Sequence, residues 1–224
     1  MKPKHLNVEL TTDCNQKCPY CSNPKIDDYE LSYVEWLRVI EDTKATSVHL
    51  TGGEPLLYKD ITKLIINLHS LGIDVSILTN GSVPKLLVNN KEVFSKLRTV
   101  QISLDSTNPE THDKRRGFPA AYNNAIKTIE FFKSIGIETE ISMVVDSETV
   151  SGIDDMVTFC EINKLNLILR PLAVLGRSKI DFTNTPKVHT SIVIPDRFGY
   201  GAKSVGDHIP LLTLSPKGNE VSYR

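Results

Sequence analysis

Neither sign of charge dominates this chain. Its 26 Lys and Arg face 27 Asp and Glu, for a formal net charge of -1, so it carries neither the basic footprint of a nucleic-acid binder nor the acidic excess of a disordered protein. Long apolar runs are missing as well. The opening MKPKHLNVELT passes directly into a strand-like pattern without a signal core, and no stretch is long enough to span a bilayer. A cytoplasmic protein with no nucleic-acid and no membrane partner is expected. Cysteine is scarce, with four residues in 224, and their clustering argues against the disulfide framework of a small secreted domain. At this length the chain can bury a core as one domain, or as one domain with a tail, without covalent staples.

The cysteines that are present stand together. CNQKCPYCSNP (14–24) places Cys14, Cys18 and Cys21 at the spacing C-x3-C-x2-C. Four soft donors would close a structural zinc site or saturate a cubane cluster, whereas three leave a coordination position where a substrate or cofactor can bind. The fourth cysteine, Cys160, shares a helical apolar stripe with Met156 and Val157 and reads as a buried core thiol.

Short β-rich runs alternate with amphipathic stretches. Strands are expected at 6–11, 47–50, 73–79, 99–104, 137–145 and 165–172. Between them, Ile61, Leu64, Ile65 and Leu68 recur at helical spacing, as do Tyr122, Ala125, Ile126 and Ile129, and then Ile153, Met156, Val157 and Cys160. Ser32 and Glu35 form a capping-box pattern at a helix start, while Gly72 and Gly136 fall where left-handed caps would end two others. LGIDVSIL (71–78) is echoed by IGIETEIS (135–142), which reads as a repeated unit.

Six strands with five intervening helices predict an α/β fold of right-handed crossovers, a partial (β/α)6 TIM-like barrel of parallel strands over 1–172. Residues 173–224, rich in Pro, Gly, Ser and Thr, read as an irregular C-terminal extension, with short strands at 191–194 and 210–214 and a turn at 215–219.

Ligands of such folds bind on the βα loops at the carboxyl ends of the strands. The three-cysteine loop follows the first strand and TGGEP (51–55) the second, so both land on one face. Gly52 and Gly53 let backbone come close to a ligand and Pro55 fixes the turn, although GGEP alone would also suit an ordinary tight βα turn. SLDS (103–106) and THDKRRG (111–117) bring a hydroxyl, a carboxylate and two guanidiniums to the same face, or else form a solvated charged loop. Thr79-Asn80-Gly81 suits a site wall and a turn equally. His49 and Glu9 fall within strands, with a hydrogen-bonded core role favoured for His49.

The cysteine triad, followed by a strand-terminal TGGEP, resembles the radical S-adenosylmethionine (SAM) superfamily. That resemblance implies that Cys14, Cys18 and Cys21 are the catalytic metal ligands, holding three irons of a [4Fe-4S] cluster whose fourth iron is chelated by S-adenosyl-L-methionine. One electron, from a donor such as flavodoxin or ferredoxin, would then cleave SAM into methionine and a 5'-deoxyadenosyl radical that abstracts hydrogen from substrate. It further implies that Tyr20 lies beside the adenine, that Gly52, Gly53, Glu54 and Pro55 form the platform for the methionine with Glu54 toward its ammonium, and that Ser103 and Arg115 contact the methionine or ribose.

Within the superfamily, CPYCSNP, ELSYVEW (30–36) and TGGEPLLYKD (51–60) resemble the SPASM-type peptide-modifying subgroup that includes pyrroloquinoline quinone biosynthesis. The likeness is strongest over 6–80 and becomes general barrel similarity as far as 172, where RPLAVLGRS (170–178) is similar to the barrel end of related peptide- and haem-modifying enzymes. It implies a ribosomal precursor peptide as substrate and, because the chain starts at its first strand, a separate leader-binding protein. LLTLSPKGNEVSYR (211–224) resembles the run into that subgroup's auxiliary-cluster cysteines, yet no cysteine follows Cys160, so auxiliary clusters are not expected. The alternatives are a radical SAM enzyme acting on a small molecule, nucleotide or sugar, a non-catalytic iron-sulfur or zinc protein closed by a fourth ligand such as His5, and a subunit lending its barrel to a catalytic partner.

Overall fold

A computed structural model describes residues 5–21, 23, 30–172 and 212–214. Six strands run parallel in chain order: β1 (His5–Glu9), β2 (Ser47–Thr51), β3 (Asp74–Thr79), β4 (Thr99–Ser103), β5 (Glu138–Val145) and β6 (Asn166–Pro171). A short β7 (Leu212–Leu214) pairs antiparallel with β6. With β1 and β7 at its two ends the sheet stays open, an α/β partial barrel. β7 falls within the strand expected at 210–214, while the strand at 191–194 and the turn at 215–219 lie outside the described residues.

Period-two alternation sets which face of the sheet is buried. Val48 and Leu50, Val75 and Ile77, Val100 and Ile102, and Ile141 and Met143 are all buried, in one cluster with Leu64, Leu68, Phe94, Ile129, Phe132 and Met156 from the helices. The register keeps this set in line, as in Leu50 opposite Ile77 and Ile102 opposite Ile141. His49, Ser76, Gln101 and Glu140 alternate with them on the other face and stay half-buried.

The crossovers are α1 (Tyr33–Thr43), α2 (Ile61–Ser70), α3 (Pro84–Asn89) with α4 (Lys91–Phe94), α5 (Pro109–Arg116) with α6 (Ala121–Ser134), and α7 (Ile153–Asn163). Five helices were expected, but seven occupy the described residues because two crossovers are broken. Asn89 and Asn90, both poor helix formers, divide α3 from α4, and Gly117 and Ala120, with φ of 56° and 60°, divide α5 from α6. The capping box at α1 is complete, with Ser32 N–H donating to Glu35 Oε2 (2.8 Å) and Glu35 N–H to Ser32 Oγ (3.4 Å). The two echoed segments also fold alike. Gly72 and Gly136 take φ of 74° and 76°, and Ile73 and Ile137 each reach back to a helix carbonyl, those of Leu68 and Phe132, at 3.0 Å. Among the described residues no helix is long and apolar enough to cross a membrane.

Candidate active site

The carboxyl ends of β1 and β2 continue past the strands as a zipper. Leu10 N–H donates to Thr51 O (3.0 Å), Gly53 N–H to Thr11 O (2.7 Å) and Glu54 N–H to Asp13 O (2.7 Å), so TGGEP is bonded along the entry to the cysteine loop. This contact accounts for both glycines. A Cβ on Gly52 would stand 2.4 Å from Thr11 O, and one on Gly53 would stand 2.2 Å from Asp13 O. Gly52 also holds φ at 138°.

Glu54 is wholly buried. Its Oε1 accepts Leu56 N–H (3.0 Å) and the Thr79 hydroxyl (2.7 Å), and its Oε2 accepts Asn80 N–H (2.7 Å). Burial pushes its carboxyl up to about 7 even though these donors pull the other way. The carboxylate thereby ties the end of β2 to the end of β3 and caps a 3-10 turn at Pro55–Leu57. From that tie Asn80 reaches the cysteine loop, its Nδ2 standing 2.9 Å from Asn15 Oδ1 and 3.7 Å from Cys14 Sγ. The sequence left 79–81 between a turn and a site wall; the fold sets Asn80 against the loop.

The three clustered thiols form no disulfide and are half-buried. Cys14 Sγ also accepts Gln16 N–H (3.4 Å), and Cys18 Sγ stands 3.8 Å from Arg116 Nη1. Burial raises the Cys14 thiol above its ordinary range, and the charges of Glu54, Cys18 and Cys21 add to that rise. Cys160, as expected, is buried, and burial lifts its thiol to about 12.

The opposite wall is the end of α5. Lys17 N–H donates to Arg116 O (3.0 Å), and Gly117 lies so near that a Cβ there would be 2.8 Å from Lys17 O. Tyr20 is 5% exposed, with its hydroxyl bonded to Asp105 Oδ2. Arg115 lies 4.6 Å from the centre of the Tyr20 ring and pairs with Asp146 and Glu148, each at 2.7 Å. Asp105 Oδ1 accepts Val144 N–H (3.0 Å), and Arg116 Nε lies 3.1 Å from Asp105 Oδ2, an ion pair outside hydrogen-bond angles. Burial would raise the Asp105 carboxyl, but Arg116, Tyr20 and the Val144 N–H outweigh it and hold the group below its usual range.

Of the residues singled out from sequence, the fold gathers Cys14, Cys18, Cys21, Tyr20, Gly52, Gly53, Glu54 and Arg115 at one end of the sheet. Pro55 begins the buried turn beneath them, and Ser103 ends β4 in register with Ser142 of β5, half-buried. His5 opens β1, at the end of the strand away from the cysteine loop, with Nδ1 bonded to Ser47 Oγ. That position removes it as a ligand closing the cysteine site. His49 is half-buried within β2 and Glu9 is exposed at the end of β1. Asp105, Arg116 and Asp146 were not assigned roles from sequence. SLDS and KRRG flagged the first two by type, but nothing in their spacing paired them.

The donor set suits an iron-sulfur cluster, because the thiols are soft and partly exposed and two of them, Cys14 and Cys18, are met by N–H donors. Among the described residues no three His, Cys, Asp or Glu side chains gather as tightly as one metal ion requires.

Comparison with known proteins agrees with this geometry. Relatives include an S-adenosylmethionine-dependent nucleotide dehydratase of Selenomonas ruminantium, 34% identical over 113 residues, covering 47% of this chain and 40% of that protein. A PqqA peptide cyclase of Rhizobium meliloti is 28% identical over 163 residues, covering 70% of this chain and 44% of that protein. SuiB of Streptococcus suis, solved bound to S-adenosylmethionine, superposes with a TM-score of 0.69 at 27% identity, over 80% of this chain and 43% of its own. The chain thus spans less than half the length of these relatives. Residues 8–160, well over half of the chain, match the Radical SAM superfamily, and the chain belongs to that family.

Proposed function

We propose that this chain is the core of a radical SAM enzyme that modifies a ribosomally made peptide. The observation that carries the reading is the cysteine loop itself: three half-buried thiols bonded through the loop backbone to TGGEP and walled by Tyr20 and the end of α5. Cys14, Cys18 and Cys21 would hold a [4Fe-4S] cluster. Bound there and reduced by a donor of the flavodoxin or ferredoxin class, that cluster supplies the electron for cleavage of S-adenosyl-L-methionine.

The chain's own residues bind and orient. Gly52 and Gly53 keep the methionine platform low against the loop. Glu54, fixed by three donors and fully buried, supports that platform from beneath, with Pro55 starting the turn. Tyr20 presents its ring on a shelf made by Arg115, and Ser103 adds a hydroxyl at the end of β4.

A peptide substrate is supported by the PqqA peptide cyclases and by SuiB, which has also been solved bound to the precursor peptide SuiA. A separate leader-binding protein would complete such a system. A nucleotide is the second reading, favoured by the higher identity of the nucleotide dehydratase where it aligns.

Anaerobic reconstitution tests the chemistry. The protein should turn brown with about four irons per chain and form 5'-deoxyadenosine with dithionite and SAM. Cys18→Ala should lose both iron and product. A colourless protein that keeps zinc, or a Cys18→Ala variant that still cleaves SAM, overturns the assignment. Precursor peptide or nucleotide, added in turn, should raise the yield of 5'-deoxyadenosine only for the true substrate class.

A further inference from the structure

Two neighbouring arginines end α5, and they are used differently. Arg115 is committed to Asp146, Glu148 and the Tyr20 ring. Arg116 also lies over that ring, 5.9 Å from its centre, but its Nη1 stands 3.8 Å from Cys18 Sγ and its Nε 3.1 Å from Asp105 Oδ2. It is 7% exposed. Its backbone is fixed to the same loop, since Lys17 N–H donates to Arg116 O at 3.0 Å and Gly117 allows the helix end to sit against Lys17. Asp105 is in turn fixed by Val144 N–H and the Tyr20 hydroxyl. Cys14 receives neutral donors, Gln16 N–H and Asn80 Nδ2, whereas Cys18 faces a cation.

We propose that Arg116 is a positioning residue for the Cys18 thiolate, and that it raises the reduction potential of the metal centre bound at the cysteine loop. This rests on the proposed function above. Reduction adds negative charge to a thiolate-ligated centre. A guanidinium fixed beside one sulfur stabilises the reduced form more than the oxidised one, and burial limits screening by solvent. Asp105 acts in the opposite sense. It holds Arg116 in place, but its own negative charge disfavours the added electron. The two residues therefore have effects of opposite sign on one potential, which a merely structural role would not produce.

The test is a redox titration of the reconstituted protein with dithionite and mediators, followed by electron paramagnetic resonance, with iron counted in each sample. Arg116→Gln should shift the reduction equilibrium about tenfold toward the oxidised form, a fall of about 59 mV for one electron. Arg116→Lys, which keeps the charge, should retain most of the wild-type potential. Asp105→Asn should raise it. Arg116→Gln leaves a buried carboxylate without its partner and can fail to fold; the Lys and Asn variants then carry the test. An unchanged potential in iron-loaded Arg116→Gln or Asp105→Asn protein, a potential in Arg116→Lys as low as that expected of Arg116→Gln, or shifts of the same sign for Arg116→Gln and Asp105→Asn, overturn this inference while leaving SAM cleavage by the wild type intact. A wild type that takes up no iron overturns the proposed function and this inference with it.

Discussion

At the scale of single residues, the site wall is built from buried polar groups whose charge is fixed by their neighbours. His112 has no exposed surface. Its Nδ1 accepts Asp105 N–H at 3.1 Å, its ring meets Tyr122 edge-on, and its Nε2 has no hydrogen-bond partner among the described residues. Burial, reinforced by Arg116, lowers its pKa from 6.5 to about 4. Between those two values the unfolded chain binds a proton that the folded chain refuses, so stability from this group is fully present above pH 6.5 and is lost as pH falls toward 4. The loss amounts to about 3 kcal/mol. Urea unfolding of wild type and His112→Asn at pH 7.5 and at pH 4 should show their stability difference narrowing by about that amount. A difference independent of pH would contradict the neutral, buried imidazole.

The same scale shows what the sequence could convey about the site. Cys14, Cys18 and Cys21 were legible because their chemistry lies in type and spacing over eight residues. Gly52 and Gly53 were legible as glycines that permit close approach, but the backbone they approach, Thr11 to Asp13, is visible only once β1 lies beside β2. The pairing of Arg116 with Cys18 joins positions 98 residues apart, and no local pattern encodes it.

At the scale of elements, helices and strands follow from periodicity wherever one face is buried. All six parallel strands fall where alternation placed them, within a residue or two at either end. α5 is the exception. PETHDKRR has no apolar stripe because its buried residues are His112, Arg115 and Arg116, so its helicity comes from its ends: Asn108 Oδ1 accepts Thr111 N–H at 2.9 Å and Gly117 closes the last turn in the left-handed region. Asp113 then joins α5 to α6, its two oxygens accepting Ala120 N–H (2.7 Å) and Tyr122 N–H (2.8 Å). These are otherwise unpaired donors at the start of α6. Asp113→Ala should cost about 1–2 kcal/mol in urea unfolding. Because α5 carries Arg116, the variant should also hold iron less firmly during gel filtration. Unchanged stability would show that the connection between the helices does not depend on this cap.

At the scale of the whole molecule, an open parallel sheet has two edges, and the one at β6 is covered by β7. Leu167, Ile168 and Leu169 pair there with Leu214, Thr213 and Leu212. Among the described residues every member of the hydrophobic core cluster lies before residue 170, and β7 joins the parallel strands through β6. A chain ending at Leu172 should therefore fold, with the far-UV circular dichroism of an α/β protein. It should also expose the apolar middle of the β6 edge, Leu167 to Leu169, and such an edge favours pairing with another chain. Losing the short antiparallel ladder removes about 2 kcal/mol of hydrogen bonding, which lowers Tm by about 4–8 °C in a domain of this size. Sedimentation velocity should then show association that grows with protein concentration, whereas the full chain at the same concentrations should sediment without it. A truncated chain that stays monomeric with an unchanged Tm would show that β7 neither stabilises nor guards the edge; one that fails to fold would show that the core extends beyond β6.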